Sequence, residues 1–157
     1  GGHPYAAGLS LKEENLDAFT QRFLKLAADE IIPEQMTPQI DIDAVLDLQD
    51  INSKFMSELK KMNPFGPDNQ KPVFCSLGVK DYGTSKLVGK DLEHIKLELI
   101  DDKSNTPIHG IAFGMRQHNT HIKNMKPFNI CYTIEENTYN GNTSLQLMVK
   151  DIKENDI

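Results

Sequence analysis

Asn63-Pro64-Phe65-Gly66-Pro67-Asp68-Asn69-Gln70-Lys71-Pro72-Val73-Phe74 divides the chain into two textures. Three of the eight prolines fall within nine residues here, together with a glycine, two asparagines and an aspartate. Proline fixes φ and has no N–H, and it pushes the residue before it into an extended conformation, so neither a helix nor a central strand runs through the stretch. It reads as a joint, with Phe65 and Phe74 as the apolar residues expected to pin it to its neighbours. Upstream the apolar residues recur at helical spacing, and downstream the period falls to two.

Upstream, Ser10-Leu11-Lys12-Glu13 has the pattern of a capping box, which places a helix start near Leu11. Leu16, Phe19, Phe23, Leu26 and Ala27 follow at three- and four-residue steps, so the helix is expected to run to about Ile31 and stop before Pro33. Ile40-Asp41-Ile42-Asp43 alternates like a short strand with one wet face. Its two aspartates have no third ligand nearby and read as surface. Asp47 is placed to cap a second helix, whose buried face is Ile51, Phe55, Leu59 and Met62. Lys60 and Lys61 suit the negative end of that helix dipole.

Downstream, Val73 to about Lys80 forms one strand, which Ser85–Val88 continues after Tyr82-Gly83. His94–Leu99 forms a second strand, with Ile95, Leu97 and Leu99 pointing inward. Asp101–Pro107 is a polar turn and Ile108–Gly114 a third strand. A short helix follows within Met115–Lys126, then strands at Phe128–Glu135 and Ser144–Ile152. Asn140-Gly141 between the last two is a strong hairpin signal. Five strands with a helix between the third and fourth is the order of an OB-fold barrel. The predicted fold is therefore an α+β remnant (1–62), a Pro/Gly linker (63–72) and an all-β five-stranded OB-fold barrel (73–157).

The net charge is −6 over 157 residues, which on its face argues against a nucleic-acid binder. The acidity is uneven, however. Residues 1–72 carry 7 Lys/Arg against 12 Asp/Glu, whereas residues 80–126 carry 8 against 6 and hold four of the five histidines. An OB barrel binds single strands with basic and aromatic side chains on its strand face. Lys80, Tyr82, Lys86, Lys90, His94, Lys96, Phe113 and Arg116 are the candidates here, set against an ordinary wet face with Phe113 in the core. His118 and His121 stand one helical turn apart, but nothing local completes a metal set. Cys75 and Cys131 lie among apolar neighbours and read as buried free thiols. No run approaches a membrane span and no basic-then-apolar leader opens the chain, so no membrane partner and a cytoplasmic location are expected. The chain starts without methionine at Gly1-Gly2-His3-Pro4-Tyr5-Ala6-Ala7-Gly8, which suggests a piece of something longer. Glycines flanking a histidine ahead of a helix are able to present N–H groups and an imidazole to phosphate; a flexible start with a chance histidine is the plainer reading.

Taken together, these segments resemble the C-terminal part of the RecJ family of bacterial single-strand-specific 5′→3′ DNA exonucleases. Gly1-Gly2-His3-Pro4-Tyr5-Ala6-Ala7-Gly8-Leu9 resembles the end of the glycine-rich motif in the DHHA-type domain of DHH phosphoesterases, and Asn15–Phe19 follows it in the helix. The joint itself, Gly89-Lys90, His94–Leu97, Ile111–Gly114, Tyr139–Gly141 and Leu145–Leu147 carry the rest of the resemblance, in order along the chain.

The resemblance implies a role for each piece. Gly1, Gly2 and His3 would contact substrate phosphate. The barrel would hold single-stranded DNA, and repair proteins would be further partners. Hydrolysis would belong to a DHH domain that binds Mn2+ or Mg2+ and is absent here, so this chain would carry no catalytic residue, no metal site and no activity of its own. Two alternatives stand beside this reading. One is an OB-fold protein-interaction module, favoured by the acidic first part; the other is a different oligonucleotide phosphodiesterase of the DHH superfamily.

Overall fold

The glycine-rich start pairs with itself. In the computed structural model, which describes residues 2, 3 and 6–154, β1 (Gly2–His3) runs antiparallel to β2 (Ala6–Ala7), with His3 opposite Ala6. A 3-10 turn over Glu13–Asn15 leads into α1 (Leu16–Glu30), and no side-chain cap forms at either start. The capping box expected at Ser10 is therefore not used. Backbone bonding of the turn, Asn15 N–H to Lys12 O at 2.9 Å, starts the helix instead. The helix closes where Ile31 N–H reaches Ala27 O (3.0 Å) and the chain becomes extended before Pro33. Its apolar stripe is formed as read, yet Leu16, Phe19, Phe23 and Leu26 all remain exposed. Residues 1–39 form one compact unit and 40–157 a second.

The second unit takes in residues upstream of the joint. β3 (Ala44–Val45) pairs in parallel with β4 (Phe74–Asp81), a few residues later than the Ile40–Asp43 strand expected. Asp47 precedes a 3-10 turn over Leu48–Asp50, and Asn52 is the residue that caps α2 (Ser53–Lys60). Its side-chain oxygen accepts from the N–H groups of Lys54 and Phe55, both at 3.0 Å. An amphipathic helix this short draws its stability from burying its apolar face. Leu48, Ile51 and Leu59 accordingly join the core of the strands, and Phe55 sits edge-on against Phe74 at 5.5 Å. The segment from β3 through α2 thus belongs to the same packed body as the strands beyond the joint.

The joint is irregular but tied down. The Asn69 side-chain amide donates to the Met62 and Pro64 carbonyls, and Lys60 and Lys71 lie 2.7 Å from Glu136 and Glu135 respectively. Phe74 is buried and Phe65 half-buried.

Beyond β4 come β5 (Lys86–Val88), β6 (His94–Ile100), β7 (Ile108–Ala112), α3 (Asn119–Lys123), β8 (Phe128–Tyr139) and β9 (Asn142–Glu154). β5 is a separate strand antiparallel to β6, and no continuation of β4, because Gly83 (φ 107°) turns the chain between them. The mixed seven-stranded sheet has the order β3-β4-β8-β9-β7-β6-β5, and β4 also pairs with β6 through Lys80–Ile100 and Asp81–Leu99. Following the pairings from β4 through β6, β7, β9 and β8 therefore leads back to β4. The inward residues Val79, Ile95, Leu97, Leu99, Ala112, Phe128, Ile130, Tyr132, Ile134 and Leu147 are almost wholly buried, and Ile122 of α3 joins them.

A half-buried carboxylate and a buried pair of hydroxyls stitch the loops to this core. Asp101 accepts from the Leu48 N–H (2.8 Å) and from the N–H groups of Lys103 and Ser104, which fixes the 47–50 turn to the end of β6. Ser76 Oγ lies 2.7 Å from both the Leu46 carbonyl and the Tyr132 hydroxyl. The carbonyl only accepts, so Ser76 donates to it and Tyr132 donates to Ser76.

Candidate nucleic-acid interface

Residues directly opposite in a ladder share a face, so the register maps the outer surface of the sheet. One row runs Lys86, Lys96, Ile111 and Met148 across β5, β6, β7 and β9 and ends on β8 at Thr133, which is buried. The next runs Glu98, His109, Gln146, Glu135 across the last four of these strands. Lys86 and Lys96 are exposed and directly opposite each other, and among the described residues no carboxylate comes within ion-pairing distance of either. Like charges in this position repel. An anion seated between them would relieve that repulsion. Glu98 does not, since its carboxylate is taken up by Thr84 (2.5 Å) and His109 (3.6 Å). Beside Lys96 a groove of about 490 Å³ is lined by His109, Asn137, Ser144 and Gln146.

One end of this surface carries an aromatic pair. Phe113 follows β7, is 54% exposed and meets the His94 ring edge-on at 4.8 Å. It is therefore not a core residue. Gly114 N–H donates to His94 Nδ1 at 3.0 Å, so that nitrogen accepts and the ring proton sits on Nε2, 3.2 Å from Glu93 Oε1. Glu93 is held below the usual carboxylate range, chiefly by its own backbone amide and then by that of Asp91. Arg116 spends one guanidinium N–H on the Asp91 carbonyl (3.2 Å) and so braces the turn that carries Lys90. The imidazole is thus locked in place beside a Phe113 ring that is more than half exposed.

The candidates named from sequence are only partly brought together. Lys86 and Lys96 meet, and His94, Phe113, Arg116 and Lys90 cluster at one end of the same strands. Tyr82 is half-exposed and held to β6 by its N–H on Glu98 O (2.8 Å). Lys80 faces outward but is paired with Asp102 at 3.2 Å, which offsets its charge. Gly2 and His3 lie in the first unit, and Gly1 is outside the described residues. Ile111, Met148 and His109 were missed as surface neighbours. The alternation Ile108-His109-Gly110-Ile111 signals their strand, but only the register shows what stands next to Lys96. Among the described residues no group of three His, Cys, Asp or Glu is arranged to hold a metal ion; His118 and His121 both lie on the Glu154 carboxylate, at 2.7 and 3.1 Å. No helix is long and apolar enough to cross a membrane.

The model of the RecJ OB domain matches residues 42–151. The single-stranded-DNA-specific exonuclease RecJ of Bacillus subtilis is 28% identical over 152 residues, covering 96% of this chain and 19% of that protein. RecJ of Haemophilus influenzae is 28% identical over 153 residues, covering 98% of this chain and 26% of that one. This chain therefore spans about a fifth to a quarter of the length of these relatives. Crystal structures of Thermus thermophilus RecJ with Mn2+ and with Mg2+ share the fold, with TM-scores of 0.77 and 0.76 at 20% and 19% identity. They match all of this chain with 22% and 23% of their own. The seam where β3 joins the strands, the closing pairing of β4 with β6 and the β9 return all fall inside the matched 42–151 segment, and on that evidence the chain belongs to the RecJ OB domain family.

Proposed function

We propose that this chain is the substrate-holding part of a single-strand-specific 5′→3′ DNA exonuclease of repair and recombination in the cytoplasm. The ring β4-β6-β7-β9-β8 is read as a five-stranded OB barrel, with α3 between its third and fourth strands. The observation that carries the reading is the Lys86–Lys96 pair, two opposed cations with no carboxylate partner among the described residues, next to the exposed Phe113 ring. Phosphates along a strand would seat on the lysines and a base would stack on Phe113. Neither contact reads a base edge, so binding would depend on charge and single-strandedness rather than sequence. Gly2 and His3, with Gly1, would meet phosphate near the scissile end, and a metal-dependent DHH domain elsewhere in the parent protein would supply hydrolysis with Mn2+ or Mg2+. This chain alone would not cleave; hydrolysis of a 5′-phosphorylated single strand by it, in the presence of manganese, would overturn that division of labour.

Fluorescence anisotropy of a labelled single-stranded oligonucleotide, titrated with this chain at several salt concentrations and against duplex, tests the reading. Salt-sensitive binding that prefers the single strand supports it. Absence of binding at low salt removes it and leaves the barrel as a protein-docking module.

A further inference from the structure

Cys75 of β4 and Cys131 of β8 are direct cross-strand partners, so their side chains share one face of the ladder. Backbone bonding fixes which kind of partners they are. The Cys75 carbonyl accepts from Leu46 N–H at 2.8 Å, and the Val73 carbonyl accepts from Asp43 N–H, also at 2.8 Å. In a strand the N–H and C=O of one residue point to the same side, so the backbone groups of Cys75 face the β3 segment, away from β8. Cys75 and Cys131 therefore form a non-hydrogen-bonded antiparallel pair. Such pairs have the closest Cα approach of the ladder, about 4.5 Å, which is inside the range that a disulfide spans. Cys75 is buried and Cys131 only partly so.

We infer that Cys75 and Cys131 are a modification site that closes to a cross-strand disulfide when the protein meets a small-molecule disulfide such as oxidised glutathione. The less buried member, Cys131, reacts first. The Cys131 thiolate attacks one sulfur of the oxidant, forming a mixed disulfide and releasing one glutathione thiolate. The Cys75 thiolate then attacks the Cys131 sulfur, forming the protein disulfide and releasing the second glutathione thiolate. Two protein thiols have lost two protons and two electrons, and the oxidant has become two thiols. Burial pushes both thiols up, Cys131 to about 11, so few are ionised at neutral pH and closure is slow. The rate is expected to rise about tenfold per pH unit in this regime, because only the thiolate attacks. The bridge joins strands already paired in the reduced fold, so the reaction needs no rearrangement of the sheet.

Incubation of the whole chain with excess oxidised glutathione under native conditions, then acid quench, thiol blocking in denaturant and intact mass measurement, tests this. Expected is a protein lighter by two hydrogen atoms with no blockable thiol, a tryptic peptide joining Cys75 to Cys131, and a higher Tm for the oxidised form. Cys75→Ser is expected to stop at a glutathione adduct on Cys131. A wild-type protein that keeps two blockable thiols, accumulates adducts without losing hydrogen, or crosslinks between chains instead would overturn the inference. So would a Cys75→Ser variant that gives the same products as wild type.

Discussion

The Lys123 ammonium of α3 stands 3.4 Å from the carboxylate of Asp81 in β4, a residue only 1% exposed. Burial by itself would raise the Asp81 pKa. Hydrogen bonds from Ser85 and Gly83 and the Lys123 charge outweigh it, and the carboxyl is held below its usual range. Asp101 is likewise depressed: burial opposes ionisation, and the amides of Leu48, Lys103 and Ser104 together with the Ser104 hydroxyl override it. A carboxylate with a lowered folded pKa adds stability above its unfolded value, about 3.9, and that stability disappears as pH falls through the folded pKa. Urea melts between neutral pH and about pH 3 are therefore expected to show stability falling in acid. Asp81→Asn and Asp101→Asn should be less stable at neutrality and flatter with pH. A wild-type profile with no acid limb would contradict this.

The order of donors through Ser76 sets a second expectation. Tyr132→Phe removes one hydroxyl and leaves Ser76 still donating to Leu46, a loss of about 1 kcal/mol. Ser76→Ala strands both the Tyr132 hydroxyl and the Leu46 carbonyl in the interior, and should cost about 2–3 kcal/mol. Denaturant titration of both variants checks the ranking, and equal losses would show that the hydroxyl pair contributes nothing directional.

Charge and stacking on the outer face are separable by salt. Lys96→Ala should weaken single-strand binding and lower the slope of log affinity against log salt by about 0.7, the share of one phosphate contact. Phe113→Ala should cost about 1–3 kcal/mol with the slope unchanged, because stacking releases no counterions. Lys80→Ala, whose partner Asp102 already offsets the charge, should change binding least. If Lys80 and Lys96 variants behave alike, the strand lies elsewhere on the surface.

On α1 the rings of Phe19 and Phe23 stack at 5.9 Å while 39% and 58% exposed. Exposed apolar surface of this kind promotes association. The double variant Phe19→Gln, Phe23→Gln is expected to lower binding of a hydrophobic dye and self-association in sedimentation. Dye binding and sedimentation equal to wild type would contradict this.

Much of the second unit was legible because its strands alternate strictly. His94–Leu99 placed Ile95, Leu97 and Leu99 where the core has them, and Asn140-Gly141 marked its turn correctly. Caps were less legible: Ser10 and Asp47 have the right chemistry, but 3-10 turns intervene, and the cap of α2 fell to Asn52. The packing partner of the second helix was not legible for a different reason. Helical spacing at Ile51, Phe55 and Leu59 shows that a face must be buried and says nothing about which partner buries it. The candidate surface was half readable, since alternation tells which lysines point outward but not that Lys86 stands opposite Lys96. That fact belongs to the register, which is set by turns and bulges along the whole ladder.

β8 and β9 are longer than the sheet needs. β4 accompanies β8 only from Phe128 to Tyr132, and β7 accompanies β9 only from Gln146 to Val149. From Glu136 to Leu145 the two strands pair with each other alone and turn back through Asn140 and Gly141, both at positive φ. Residues 136–138 and 140–144 of this arm are all exposed. It is consequently the place where the chain can be opened for engineering. A fluorophore, a peptide insert or new termini at Asn140–Gly141 would report on the sheet's encounters without entering its packing.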